Sequence, residues 1–177
     1  MGKSNEEFKN KFFILYKNNL MLVWILVVLV VVLLTMVRVV NQYERKVVLT
    51  LGKFSRILTP GLNLIIPIIE QTINVDVREK AVDLPSQEAM TKDNIACWVN
   101  AVIYYKVKED QVDKAVLNVR NLDYAMTQFA LTTMRNIVGQ FELDELLAKR
   151  EEAAEKIKTI VDTKSDSWGV DILSVEL

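Results

Sequence analysis

The chain has 177 residues with 22 basic and 23 acidic side chains, which gives a formal net charge of −1. This balance carries no electrostatic signal for nucleic acid, so we expect no nucleic acid partner. The sequence contains no histidine, which excludes serine–histidine and cysteine–histidine catalysis and metal binding through imidazole. The single cysteine, Cys97, cannot form a disulfide within the chain.

The N-terminus reads as a membrane anchor preceded by an interfacial segment. Residues 1–19 mix phenylalanine and tyrosine with lysine, a composition that suits the lipid headgroup zone. The stretch LMLVWILVVLVVVLLTMV then gives eighteen uncharged residues. As a helix it rises about 27 Å, close to the roughly 30 Å of a hydrocarbon core. A cleaved signal peptide has a shorter apolar region and small residues after it, whereas RVVNQYERK follows here. We therefore predict one transmembrane helix over residues 20–38, with Trp24 in contact with the membrane.

The orientation of this span is not decided by its flanking charges. Four basic residues precede the span and five follow it within twenty residues, so the positive-inside rule favours neither side. Our working expectation is a single-pass protein of a bacterial-type cell membrane, with the domain on the cytoplasmic side.

After the anchor the pattern changes to strands and then to helices. KVVLTLG predicts a strand ending at Gly52. TINVDVR alternates between apolar and polar residues, as a strand with one buried side does, and residues 95–107 predict a long strand with one apolar side. TKDN predicts a turn back to a shorter strand near residues 87–90. Helices are predicted over EDQVDKAVL, over residues 121–139 with Asn121 as N-cap, and over residues 142–168; VDILSVEL then starts another strand. This order predicts an α+β domain, a mostly antiparallel sheet with helices on one face, over residues 39–177.

The stretch LTPGLNLIIPIIE, residues 58–70, is too apolar for an ordinary surface loop and carries Pro60 and Pro67. One interpretation is a pair of buried strands, with Leu64 or Ile66 in the core. The other is a loop that enters the bilayer surface beside the anchor, because a tethered domain can cover an apolar patch with lipid. We favour the second interpretation, in which the membrane-contacting residues are Leu62, Ile65, Ile68 and Ile69.

The third predicted helix carries a stripe with heptad-like spacing, which is apolar except where Arg150 and Lys164 interrupt it: Leu143, Leu147, Arg150, Ala154, Ile157, Val161, Lys164 and Trp168. For its apolar members, packing on the domain's own sheet is the favoured interpretation. The charged residues beside the stripe suit a contact with a neighbouring subunit. The predicted oligomer interface comprises Lys149, Arg150, Glu151, Glu152, Glu155 and Lys156.

Catalytic motifs are missing from the sequence. Five widely separated glycines exclude a phosphate-binding loop, and Cys97 lies on the apolar side of a predicted strand, where an inert thiol is expected. Serine–lysine catalysis remains formally open, but no Ser-x-x-Lys stands on a predicted helix. We therefore expect neither an enzyme nor a cofactor or metal site.

Several spaced motifs together resemble a known family. They are YERKVVLTLGKFSRILTPGLNLIIPIIEQTINVDVR, DLPSQEAMTKDN, VNAVIYYKV, TTMRNIVGQFELDELLAKREE and WGVDILSVEL. In this order they resemble the stomatin/slipin branch of the stomatin–prohibitin–flotillin family, also called SPFH or band 7. The resemblance covers the chain from about Val39 to Leu177, and it implies a membrane-proximal part over residues 39–85 and a second part over residues 86–177.

The resemblance implies a membrane-anchored scaffold without catalysis. Such a scaffold assembles into large homo-oligomeric rings, organises a patch of membrane and regulates membrane proteases or channels. Two features differ from the family pattern: the span lacks the proline of a re-entrant hairpin, and the chain stops at the start of the family's C-terminal coiled-coil region. The alternative function is a membrane-tethered hydrolase or an accessory subunit of a membrane protease.

Overall fold

The structure is a computed structural model that describes residues 24, 26, 31 and 33–177. The predicted interfacial segment 1–19 and most of the predicted transmembrane helix lie outside these residues. The strands and helices, in chain order, are β1 (Val37–Val40), β2 (Glu44–Thr50), β3 (Lys53–Leu58), β4 (Gly61–Leu64), β5 (Glu70–Asp76), β6 (Lys80–Met90), β7 (Ala96–Val107), α1 (Val112–Leu117), α2 (Leu122–Val138), α3 (Leu143–Ala148), α4 (Arg150–Ser165) and β8 (Val170–Glu176).

The described strands form three small antiparallel sheets rather than one. Strands β1 and β4 make a two-stranded ribbon, β3-β2-β5 make a second sheet, and β6-β7-β8 make a third. Helices α2 and α4 accompany the third sheet, α2 against β6 and α4 against β8. The α+β class predicted from the sequence is confirmed, with the helices packed on the third sheet.

The long strand β7 forms the centre of the main core. Its alternating residues Ala101, Ile103, Tyr105 and Val107 are buried, as the period-two pattern predicts. They belong to the same apolar cluster as α2 and α4 residues such as Met126. The hydroxyl of the fully buried Tyr105 donates a hydrogen bond to the Asp123 carboxylate near the start of α2. This bond fixes the N-terminal end of α2 to the sheet.

Strand β6 is longer than the sequence predicts, because it begins at Lys80 and not near residue 87. Pro85 hides this continuity in the sequence, since proline cannot donate a ladder hydrogen bond. In the structure the register between β6 and β7 shifts between Leu84 and Gln87, which is where an irregularity accommodates the proline. The predicted division after residue 85 falls inside β6, and the link between β5 and β6 joins the second sheet to the third.

Strands β2 and β3 are joined by the two-residue turn Leu51–Gly52. Both residues have positive φ, 51° at Leu51 and 81° at Gly52, as a type I′ hairpin turn requires. Glycine adopts this conformation freely, but for a residue with a Cβ the left-handed region costs roughly 1–2 kcal/mol. Leu51 is nevertheless 82% exposed, so burial does not offset that cost within the chain.

Helix α2 begins where the sequence predicts, α1 begins at Val112 and not at Glu109, and the third predicted helix is interrupted. The Asn121 side chain accepts a hydrogen bond from the Tyr124 N–H at 3.1 Å and caps α2 as expected. The single helix predicted over residues 142–168 is wrong, because the backbone leaves helical geometry at Lys149 with φ −123° and ψ 36°. A 3₁₀ turn (Asp166–Trp168) follows α4, and Gly169 then ends the helical region with φ 70°.

Candidate membrane-contacting and assembly surfaces

The ribbon of β1 and β4 presents an apolar ladder to solvent. Its register pairs Val37 with Leu64 and Val39 with Leu62, so these four side chains lie on one face of the ribbon. All four are exposed, Leu62 at 78% and Leu64 at 66%. The ribbon starts at Val37, directly after the helical residues 33–36. A contiguous apolar face beside the end of a predicted membrane span is a candidate lipid-contacting surface.

The segment after β4 extends the exposed apolar surface. It holds Ile66, Pro67, Ile68 and Ile69, all of them exposed, and Ile68 reaches 91%. The Ile69 N–H donates to the Ile66 carbonyl, which closes a tight turn around Pro67. The turn therefore displays isoleucine side chains that the domain itself does not cover.

A buried carboxylate holds this turn in shape. The Glu70 side chain is only 6% exposed and accepts a hydrogen bond from the Ile66 N–H at 2.9 Å. Its two oxygens also pair with the two terminal nitrogens of Arg56, at 2.7 and 3.2 Å. Arg56 in turn donates to the Leu64 carbonyl at 3.0 Å. One ion pair thus clamps the end of β4 and the turn onto β3.

The clamp acts on the ionisation of Glu70. Hydrogen bonding from the Ile66 N–H, and then from Arg56, holds the pKa of this carboxyl below its ordinary value of 4.5. Both donors favour the charged form, because they bind a carboxylate better than a carboxylic acid. The turn is therefore tied to an ionised Glu70 at neutral pH.

The structure places Ile65 in the interior, contrary to its predicted contact with the membrane. Ile65 is 5% exposed and belongs to a small core with Val40, Val48 and Leu58. Conversely, Leu64 and Ile66, the two residues considered for the core, are exposed. Alternation explains both results, since Ile65 lies one residue past the paired Leu64 and its N–H donates to the Met36 carbonyl. The exposed set is therefore Leu62, Leu64, Ile66, Ile68 and Ile69, together with Val37 and Val39.

The predicted anchor falls largely outside the described residues. Trp24 is helical and 64% exposed, and residues 33–36 are helical. The last two residues of the predicted span, Val37 and Arg38, are extended because they belong to β1. Within the residues that the structure describes, no helix is both long and apolar enough to span a membrane.

The predicted assembly residues lie around the break at Lys149 and along α4. Lys149 forms an ion pair with Glu145 at 3.0 Å, and Lys156 forms one with Glu152 at 2.9 Å. Both pairs form within one chain. The hydrogen bond with Glu145 raises the pKa of Lys149, and the hydrogen bond with Lys156 lowers the pKa of Glu152. Such exposed pairs are worth only tenths of a kcal/mol each, so they remain available for rearrangement.

Three of the predicted interface residues have no ion-pair partner within the described part of the chain: Arg150, Glu151 and Glu155. All three are exposed. The buried stripe of α4 is Ala153, Ile157, Val161 and Ser165, so the predicted heptad is correct at Ile157 and Val161, whereas Ala154 is half-buried and Leu147 is exposed. Because the backbone is not helical at Lys149, the heptad spacing does not continue from α3 into α4, and Leu147 is exposed.

Two cavities adjoin α4, one at its N-terminal end and one between α4 and the end of α2. One has a volume of about 340 Å³ and is lined by the β7 residues Cys97–Asn100, by leucines of α3, by Arg150 and by Leu177. The other, of about 380 Å³, is lined by Ile137, Ile160, Glu152 and Glu155, among others. Arg150 at the first cavity has no ion-pair partner among the described residues. At the second cavity Lys156 pairs with Glu152, and Glu155 is the carboxylate left without an ion-pair partner there. Sequence reasoning missed Trp98 at the first cavity, although an alternating strand places it opposite the core residues Cys97 and Val99.

Two observations on the described residues concern metal binding and thiol reactivity. No group of three or more cysteine, aspartate and glutamate side chains among them is placed to hold a metal ion. Cys97 is half-buried, and burial raises the pKa of its thiol, which disfavours the reactive thiolate.

Comparison with known proteins places the chain among a defined set of relatives. The family described as SPFH domain / Band 7 matches residues 38–177. An uncharacterized protein of Archaeoglobus fulgidus is 45% identical over 156 residues, which are 87% of this chain and 62% of that protein. An uncharacterized protein of Methanocaldococcus jannaschii is 40% identical over 90% of this chain and 80% of its own length. A stomatin homolog of Pyrococcus horikoshii is 39% identical over 86% of this chain and 57% of its own length.

Proposed function

Because the chain belongs to the SPFH domain / Band 7 family and has stomatin homologs among its relatives, we propose that it is a membrane-anchored scaffold that assembles into homo-oligomeric rings. Members of this family are generally membrane-associated scaffolds without catalytic activity. In our proposal the protein crosses the cell membrane once, carries its domain on the cytoplasmic side and regulates membrane proteins such as proteases or channels.

The observation that carries the membrane part of this proposal is the exposed apolar face of the β1–β4 ribbon and the adjoining turn. In water this face is unfavourable, whereas in lipid each fully covered leucine or isoleucine contributes about 1.5–3 kcal/mol. The ribbon is adjacent to the anchor in sequence, and the Arg56–Glu70 ion pair holds the turn rigidly. A rigid apolar face costs little conformational entropy when it enters a bilayer.

Membrane retention tests this part directly. Membranes from cells that express the full chain are washed with alkaline carbonate, which strips peripheral proteins, and the pellet and supernatant are probed. The proposal predicts that the chain stays in the pellet. Release of the intact chain into the supernatant would exclude an integral anchor.

Assembly is proposed to use the charges of α4. A ring repeats one heterologous contact, in which one surface of a subunit meets a different surface of the next. Arg150, which has no ion-pair partner among the described residues, lines the first cavity at the N-terminal end of α4, and Glu155 lines the second cavity, between α4 and the end of α2. A neighbouring subunit that brings these two surfaces together pairs the cation with the carboxylate and covers the apolar side chains around them. Such charges set register and specificity more than affinity.

Charge reversal tests the assembly contact. Replacing Glu151 and Glu155 with lysine removes two carboxylates that have no partner within the described chain, so particles are expected to shrink while helix content is unchanged. Replacing Asp83 and Glu88 with lysine is the matched control, because both are exposed carboxylates of β6 and lie outside the proposed contact. Equal particle size for the wild type and the double variant at low salt would place the subunit contact elsewhere.

A further inference from the structure

The tip of the β2–β3 hairpin combines two features that folding alone does not require. Leu51 adopts φ 51°, a conformation that asparagine or glycine fits better, and its side chain is 82% exposed. Leu51 therefore neither relieves backbone strain nor fills a core. A strained and exposed residue of this kind points to a function for the side chain itself.

The tip is held firmly and lies against the isoleucine turn. The Leu51 N–H donates to the Ile69 carbonyl at 2.9 Å, and Thr50 pairs with Glu70 across the sheet. Leu51 is thereby fixed next to the turn that displays Ile68 and Ile69. The exposed apolar surface of the ribbon and turn continues onto the hairpin tip.

Positive charge accompanies this apolar tip. Lys53 follows the turn, is exposed, and forms no ion pair with any residue in the described range. Its neighbour Phe54 is also partly exposed. A leucine beside a free lysine and an aromatic ring matches the layers of a bilayer surface: acyl chain for the leucine, and headgroup phosphate for the ammonium group.

We propose that Leu51 and Lys53 form a binding site for anionic phospholipids, in which Leu51 enters the acyl-chain region and Lys53 pairs with the headgroup phosphate. This inference rests on the proposed membrane association and adds to it a lipid class and the residues that select it. The lysine provides preference for negative headgroups, and the leucine provides depth of insertion.

The test uses the full chain reconstituted into vesicles of phosphatidylcholine, with or without phosphatidylglycerol, and measures amide hydrogen exchange over residues 49–55. For the wild type, exchange is expected to slow when phosphatidylglycerol is present. Leu51→Asn is expected to lose this protection by about tenfold or more, the scale expected for removing a leucine from lipid. The same substitution should raise the melting temperature in detergent, because Asn-Gly suits the turn. Lys53→Gln should abolish the dependence on phosphatidylglycerol.

Leu117→Asn is the matched control, since Leu117 is 51% exposed but lies at the end of α1. It should leave exchange over residues 49–55 unchanged. The inference is overturned if Leu51→Asn keeps the wild-type protection, or if the wild-type segment is protected equally in vesicles with and without phosphatidylglycerol. Loss of the full chain from the membrane would instead refute the proposed function.

Discussion

Ile65 and Ile68 provide the sharpest test of the proposed membrane-facing surface, because they are the same residue type three positions apart. Ile65 is 5% exposed and packs with Val40, Val48 and Leu58, whereas Ile68 is 91% exposed. Truncating a buried isoleucine to alanine costs about 2–5 kcal/mol, depending on how far the site collapses. The Ile65 core has only four buried members, so we expect Ile65→Ala to cost about 2–3 kcal/mol.

Ile68→Ala is expected to change the free energy of unfolding by less than about 0.5 kcal/mol, since it removes an exposed side chain. Thermal melts of the detergent-solubilised chain, followed by circular dichroism, separate the two variants. At about 2–4 °C per kcal/mol for a domain of this size, Ile65→Ala should lower the melting temperature by roughly 4–12 °C. Ile68→Ala should leave it nearly unchanged.

Contact with lipid, in contrast to stability, should depend on Ile68. Ile68→Asp is expected to reduce protection of the turn in vesicles without unfolding the domain, because a carboxylate cannot enter the acyl-chain region cheaply. Similar losses of stability for both alanine variants would refute the assignment of Ile65 to the core and Ile68 to the lipid face.

Three further predictions concern the backbone, the clamp and the anchor. Gly169→Ala should destabilise the domain by several kcal/mol in thermal melts, because a Cβ there would lie 2.4 Å from the Gln111 carbonyl oxygen at a φ of 70°; wild-type stability would contradict this. The pKa of Glu70 is depressed, so its contribution to stability is present above 4.5 and is lost as the pH falls through the lower folded-state value. Acid melts of Glu70→Gln should lack that part of the pH dependence, and an unchanged profile would argue against the clamp with Arg56. Val30→Arg should impair membrane insertion in a carbonate-wash assay, since a charge at mid-span costs about 2.5–3.5 kcal/mol on insertion scales; full retention would argue against the anchor.

Local patterns predicted those parts of the fold in which one face of an element is buried. Strand β7 alternates without exception from Ala101 to Val107, so its period of two identifies both the strand and its buried side. The sequence of α2 combines an asparagine cap at Asn121 with an apolar stripe, and the structure contains both features.

Other parts depended on contacts that are distant in sequence. The break at Lys149 has no glycine or proline to mark it, and α3 and α4 alone read as one helix. Likewise, a run of leucine and isoleucine has no period, so the sequence could not separate buried Ile65 from exposed Ile66. Pairing of β4 with β1, which lies more than twenty residues earlier, decides that alternation. Nothing in the sequence marked Leu51 as a residue with a strained backbone, because its strain comes from the geometry of the turn.

The measurement that tests the central claim most directly is electron microscopy of the full chain solubilised in mild detergent. A membrane-anchored scaffold that joins its subunits through one repeated contact is predicted to appear as closed rings of uniform diameter. A field of small particles the size of single chains, under conditions in which the protein remains folded, would contradict the account.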